Sequence, residues 1–221
     1  MKNKMILPAR FVSFEGIDGC GKSTLISQLS NWLAKAEIQF VETREPGGTT
    51  LGENIRSLLL DPKFHTMNQR AEVLLYTASR AQLAHEVIYP ALGKGLWVLT
   101  DRYIDATLAY QGYGRGLDLE NLRLIQEWAT GSLWPHTTIL LDCDVDTALQ
   151  RQRRRNNQAD RIEQEDRSFH ERVRNGYLAL AKSEPQRFIV LDAGKPLPAV
   201  IQHFHMLFWQ RIVENSASIV R

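Results

Sequence analysis

A chain of 221 residues with 43% hydrophobic and 24% charged content is most simply one α/β domain, long enough to bury a full apolar core. Lysine and arginine number 27 against 25 acids, and a net charge of +2 sets up no field that by itself calls for nucleic acid or a membrane surface. No apolar run approaches the ~18 residues of a membrane span, Met1 to Pro8 lacks the apolar core of a signal peptide, and Cys20 and Cys143 have no metal-binding spacing, so a reducing, cytoplasmic setting is expected.

The first strand-like run is Phe11–Phe14. Gly16-Ile17-Asp18-Gly19-Cys20-Gly21-Lys22-Ser23 follows it and fits G-x-x-x-x-G-K-[ST], the phosphate-binding P-loop. Its glycines let backbone N–H groups turn inward around a polyphosphate, Lys22 reaches the β- and γ-phosphates, and the Ser23 hydroxyl suits Mg²⁺. Thr24 continues into a helical stripe of Leu25, Ile26, Leu29, Trp32 and Leu33, whose dipole points at the same anion. Cys20 lies beside Lys22 near that helix terminus. This predicts an acidic, accessible thiol, and the competing reading is a small residue packed under the loop.

A second strand is expected over Ile38–Thr43, then Arg44-Glu45-Pro46-Gly47-Gly48-Thr49, which reads either as a tight turn or as a substrate loop at a strand's carboxyl end. Thr50 and Glu53 form a capping box for a helix over Leu51–Leu60, and Asn68 caps a long helix bent near Pro90. Within it Tyr76 and Arg80 share a face. They suit either stacking and hydrogen bonding to a base, or a core tyrosine beside a solvated arginine. The third strand, Leu96–Thr100, runs into Asp101, a carboxylate placed to help hold Mg²⁺, and Arg102 beside it suits a second anion. Asp118 caps a helix over Leu119–Thr130 that stops at Gly131. A fourth strand, Thr138–Asp142, precedes helices over 144–182 on both sides of a polar break at Asn156-Asn157-Gln158. The run Arg151-Gln152-Arg153-Arg154-Arg155 has three readings: a solvated face, a nucleic-acid patch, or a cationic lid over phosphates. Asp160, Glu163, Glu165 and Asp166 follow closely and argue against the nucleic-acid patch. The fifth strand is Phe188–Asp192 and the last helix spans Leu197–Asn215.

Continuous apolar strands alternating with helices predict a five-stranded, doubly wound parallel sheet flanked by helices, with the ligand at the strands' carboxyl ends.

Together these segments resemble the thymidylate kinase family from about Phe11 to Phe208. The similarity rests on Phe14 to Thr24, on Thr43 to Thr49, on Asp101-Arg102-Tyr103 with Ala109-Tyr110-Gln111-Gly112, and on Asp160-Arg161-Ile162-Glu163. The resemblance implies a P-loop nucleoside monophosphate kinase fold over residues 1–221, with a lid at about 150–163. It implies direct phosphoryl transfer from ATP, with Mg²⁺, to dTMP. The residues from Gly16 to Thr24 would cradle ATP, and Ser23 and Asp101 would attend the metal. Asp18 would bind the sugar 3′-hydroxyl, Arg102 the acceptor phosphate, Tyr76 and Arg80 the base. Tyr110 would crowd the C2′ position, Gln111 would line the base pocket, and Glu45, Arg56 and Thr107 would complete the substrate contacts. Catalytic cations would be Lys22, Arg102 and one or more of Arg151, Arg153, Arg154 and Arg155, the pattern of family members that keep their catalytic arginine in the lid. Family members are usually homodimers packed through helices, and neither nucleic acid nor membrane is an expected partner. Ala106 stands where the family usually has serine. A kinase for another nucleoside monophosphate is the near alternative. A GTPase switch would need Asn-Lys-x-Asp, which the sequence lacks, and a nucleic-acid-stimulated ATPase fits poorly with a net charge of +2.

Overall fold

The computed structural model describes residues 10–154 and 159–217; Met1 to Pro8, Arg155 and the break at Asn156-Asn157-Gln158 lie outside the described residues. The chain runs β1 (Phe11–Glu15), α1 (Lys22–Lys35), β2 (Phe40–Arg44), α2 (Thr50–Leu60), α3 (Gln69–Leu83), α4 (Tyr89–Gly93), β3 (Trp97–Asp101) and α5 (Ile104–Thr107). It continues through α6 (Leu119–Thr130), β4 (Thr137–Asp142), α7 (Val145–Arg153), α8 (Arg167–Ser183), β5 (Phe188–Asp192) and α9 (Leu197–Ala217). All five strands are parallel, in the order β2-β3-β1-β4-β5.

Every residue of the central strand β1 is buried, as a strand covered on both faces requires. Phe14 and Trp97 meet Phe204 and Phe208 of α9. Phe11, pointing to the opposite face, packs edge-on against Tyr103 at 4.8 Å. Phe14 of β1, Asp101 of β3 and Arg44 of β2 stand in one register row. The P-loop, the Arg44–Glu45 segment and the Asp101–Arg102 segment therefore leave the sheet side by side at its carboxyl edge.

The helix signals hold with informative differences. Asn68 and Asp118 cap α3 and α6 as expected, and Gly131 ends α6 in the left-handed region. The cap of α2 is Thr49, not Thr50: its extended backbone leaves Oγ1 free to accept the Gly52 N–H at 3.0 Å. Glu53 then reaches back to Gly48 N and Arg44. The irregularity expected at Pro90 takes the form of a π-helical turn over Ala84–Ile88 before α4, where the wider turn makes room for a ring with no N–H to give. A second π-helical segment, Leu108–Gly114, continues α5 and packs under α8. The last helix extends to Ala217, two residues beyond its expected end.

His170 of α8 is buried, and among the described residues its Nε2 has no partner. Burial lowers its pKa, against the pull of Asp18, Glu165 and Asp166. The folded state thus takes up the proton less readily than the unfolded chain, whose value is near 6.5. The stability this group contributes is present above that value and is lost as pH falls through the lowered one. We expect His170→Leu to flatten the loss of stability between about pH 7 and about pH 5. Urea unfolding at both pH values checks this, and an unchanged slope counts against it.

Candidate active site

The P-loop wraps the gap between β1 and α1. Gly19 adopts φ +86°, and a side chain there would run into the carbonyl of Ala148 on α7. Lys22 is folded back on the loop, with Nζ 3.2 Å from the Gly16 carbonyl, 3.4 Å from that of Ile17 and 3.9 Å from Asp18. Ser23 and Thr24 are exposed at the first turn of α1. Cys20 departs from the accessible, acidic reading. It is buried, and burial raises its pKa despite the nearby charges of Lys22 and Arg102. The loop's inward turn tucks the thiol under the backbone while it presents N–H groups outward.

Arg102 holds the left-handed region at φ +73°, unusual for a residue with a Cβ. Its Nη1 donates to the Gly16 carbonyl at 2.9 Å and to the Tyr177 hydroxyl at 3.2 Å. Its Nη2 donates to Asp18 at 2.8 Å and to the Tyr110 hydroxyl at 3.0 Å. Burial alone would raise Asp18, but Arg102 and Lys22 outweigh it and hold the carboxyl well below the usual range. Burial raises Tyr110 far enough to keep its hydroxyl neutral.

Asp18, Lys22, Asp101, Arg102 and Tyr110 line one side of a cavity at the carboxyl edge of the sheet. Glu45, Arg56, Tyr76, Arg80, Thr107 and Gln111 line the other, so the substrate residues expected from the sequence converge on one space. Arg80 corrects the solvated reading, being 1% exposed. Its Nε donates to Glu45 at 2.7 Å, Nη1 to Thr107 and Gln126, and Nη2 to the Tyr103 carbonyl and to Glu45. Burial pushes Glu45 up to about 7, with Arg80 pulling the other way. Tyr76 is half-buried on the cavity wall. Asp101 lies at the end of β3 with a buried Oδ1 that finds no partner among the described residues. That free carboxylate oxygen near the P-loop fits a cation or its bound water.

The supports combine residues the sequence does not single out, Glu72, Arg115 and Tyr177, with the Asp160–Arg161 step already noted there. Glu72 of α3 accepts Gln111 Nε2 at 2.8 Å and pairs with Arg115 and Arg161. Arg161 also donates to the Leu59 carbonyl at 2.8 Å, tying the far end of the lid to α2. Asp160 closes the turn there by accepting the N–H groups of Ile162 and Glu163. Glu15 and Tyr177 lie beneath Arg102. Glu15 ends the buried strand β1, whose sequence is Phe11-Val12-Ser13-Phe14-Glu15.

The arginine run divides. Arg151 donates to the Ala193 carbonyl at 2.9 Å and lines a second cavity with Gly19, Cys20, Gly21 and Thr24 of the P-loop and Lys195 beyond β5. Arg153 faces away, toward Asp146 and Thr147, and Arg154 caps α7 exposed to solvent.

A P-loop at the switch point of a doubly wound parallel sheet, with a cation-lined cavity beside it, defines the P-loop nucleoside monophosphate kinase fold. The family model for thymidylate kinase matches residues 14–203. A thymidylate kinase of Desulfovibrio desulfuricans is 51% identical over 197 residues, covering 86% of this chain and 91% of the relative. One of Deinococcus radiodurans is 52% identical over 186 residues, covering 84% and 89%. One of Geotalea daltonii is 48% identical over 190 residues, covering 83% and 89%. The chain belongs to the thymidylate kinase family.

The buried thiol is directly testable. Iodoacetamide should label Cys20 at least about 10² times more slowly in the folded protein than in urea, because opening must precede reaction. Rapid labelling that Mg-ATP suppresses would restore the accessible thiol.

Proposed function

We propose that the chain transfers the γ-phosphoryl group of ATP to the phosphate of dTMP, giving dTDP and ADP. The carrying observation is the convergence of Lys22 of the P-loop and Arg102 on one cavity whose far wall is Tyr76, Arg80 and Gln111. A nucleotide whose polyphosphate lies in the loop presents its terminal phosphate to that cavity. An acceptor phosphate is already ionised near neutral pH, so positioning and charge neutralisation carry the reaction and no strong base is required. Lys22 leaves the loop carbonyls for the transferring group. The acceptor phosphate takes the Nη2 edge of Arg102, in competition with Asp18 and Tyr110, which are then free for the sugar. Tyr110 closes the space at C2′, favouring the deoxy sugar. Glu72 holds the Gln111 amide by its Nε2, leaving Oε1 as an acceptor for a base N–H.

Ser23 and the unpartnered Oδ1 of Asp101 would hold Mg²⁺, directly or through water. When bound, the ion neutralises phosphate charge during transfer. Gly16 to Thr24 cradle the donor phosphates, and Arg151, facing the loop from the second cavity, serves the ATP side. The remaining lid cations are Arg153, Arg154 and Arg155. We read residues 1–221 as one kinase domain with its lid at about 150–163. Among the described residues no helix is long and apolar enough to cross a membrane, and we place the enzyme in the cytoplasm without a nucleic-acid partner.

The experiment is an ADP-release assay with dTMP, dUMP, dCMP, AMP and GMP. We expect dTMP to be preferred, and Lys22→Ala to lower kcat by at least about 10², the scale of losing one donor to transition-state charge. Near-normal turnover in a folded Lys22→Ala protein, or a purine monophosphate as the best acceptor, overturns the reading.

We also infer a homodimer. Leu74 of α3 and Leu124 and Trp128 of α6 are exposed, Trp128 to 87%, on two helices that pack against each other. Large apolar side chains exposed on two paired helices suit a cover. A second copy supplies the same face about a two-fold axis. Sedimentation velocity should show a dimer for the parent and a monomer for Trp128→Glu; a monomeric parent rules the dimer out.

A further inference from the structure

The proposed transfer needs Arg102 to offer one edge of its guanidinium to the acceptor, and the structure shows what holds the other. Nη1 is fixed by the Gly16 carbonyl and the Tyr177 hydroxyl, while Nη2 is the edge shared with Asp18 and Tyr110 on the cavity side. Tyr177 is itself fixed: its O–H donates to Glu15 Oε2 at 2.8 Å. The other oxygen of the same carboxyl group, Oε1, accepts the backbone N–H of Tyr103 at 2.7 Å. Tyr103 is the residue directly after Arg102, so one carboxyl group grips Arg102 by its side chain, through Tyr177, and by its backbone. The backbone grip has work to do, because φ +73° is unfavourable for a non-glycine residue and persists only where neighbours over-determine it. Two further bonds share the load: Arg102 N donates to the Phe14 carbonyl, and Thr100 Oγ1 donates to the Arg102 carbonyl.

Glu15 is completely buried at the end of β1, one residue before the P-loop. Burying a carboxyl group is costly. Burial and the neighbouring Asp105 push Glu15 up to about 8, against Arg102, Tyr177 and the Tyr103 N–H.

We propose that Glu15, acting through Tyr177 and the Tyr103 N–H, is a positioning residue for Arg102, fixing its Nη1 edge so that its Nη2 edge meets the acceptor phosphate. The proposal rests on the kinase reading above. It places the effect on acceptor binding and transfer rather than on ATP binding, because neither Glu15 nor Tyr177 lines the second cavity beside the P-loop.

The test compares Glu15→Gln, Tyr177→Phe and the double variant by steady-state kinetics in both substrates. Glu15→Gln keeps the acceptor for Tyr103 and removes the one for the Tyr177 hydroxyl; Tyr177→Phe removes the relay alone and keeps the ring's packing. We expect each single variant to raise KM for dTMP about tenfold, the scale of one hydrogen bond to a charged group, with KM for ATP changed less than about threefold. The double variant should be no worse than the weaker single, because both act on one link. Unchanged KM for dTMP in both, additive losses, or equal losses toward ATP and dTMP overturn it. If Glu15→Gln fails to fold, Tyr177→Phe alone decides. The Arg102 guanidinium ¹⁵N–¹H resonances, recorded without substrate, separate this from the kinase reading: they should shift and broaden in Tyr177→Phe whatever the parent phosphorylates, and unaltered resonances defeat the proposal even if dTMP is the substrate.

Discussion

Parallel pairing places Phe14, Arg44 and Asp101 in one register row, and the chemistry of the molecule depends on that row. A parallel sheet delivers every strand's carboxyl end to the same edge, so three segments far apart in sequence emerge as neighbours. The central position of β1 matters as much. With β3 on one side and β4 on the other, the P-loop rises where the chain's connections diverge, and the space there is left open. Shifting β3 by one residue against β1 would turn Asp101 and Arg102 to the opposite faces and dismantle the cavity. The fully buried residues of β1, β3 and β4 make such a slip costly, since each would exchange an apolar environment for a wrong one.

The cavity concentrates charge, and it does so by pairing. Asp18 stays ionised because Arg102 and Lys22 outweigh its burial; Glu45 is pushed up to about 7 because Arg80 alone does not. Buried pairs of this sort contribute little net stability against an apolar replacement, whereas losing one partner costs about 3–5 kcal/mol. Their value here is geometric. Arg80 has its donors committed to Glu45, Thr107, Gln126 and the Tyr103 carbonyl, so its position is set before any ligand arrives. Glu72 does the same for the Gln111 amide: a flip would bring its oxygen against a carboxylate. The wall facing a base is thereby preorganised, and binding need not order it.

What was legible in the sequence divides along the same physical line. The P-loop, the Asp101–Arg102 step and the caps at Asn68 and Asp118 are local patterns, and the residues that carry them are adjacent in the chain. The central strands were legible because burial on both faces favours largely apolar runs, whereas the edge strands β2 and β5 are only partly buried. Arg80 was ambiguous because helical spacing shows which residues share a face and not what covers it; its partners are 23 to 46 positions away. The supports of Arg102 were not legible at all. Glu15 and Tyr177 are separated by 162 residues, and only the closed fold brings them together. Cys20 misleads for a related reason: proximity to Lys22 and a helix terminus argues for a reactive thiol, but the turn of the loop decides whether solvent reaches it. Thr49 and Thr50 are equally good caps in composition, and the extended backbone of Thr49 settles the choice.

Gly19 joins the P-loop to the lid helix. A side chain at this position is excluded twice, by a backbone at φ +86° and by the Ala148 carbonyl that would meet its Cβ. The exclusion is mutual, since α7 approaches this closely only because nothing projects from the loop. A P-loop so packed has no room for any side chain at Gly19, and the cation it does carry is Lys22, folded back on the loop. The helix that excludes the side chain carries the start of the arginine run, with Arg151 lining the second cavity beside the loop. The close contact between Gly19 and Ala148 thus sets the position of the loop and of the start of the arginine run relative to each other. Placing any side chain at Gly19 would therefore require moving α7 as well.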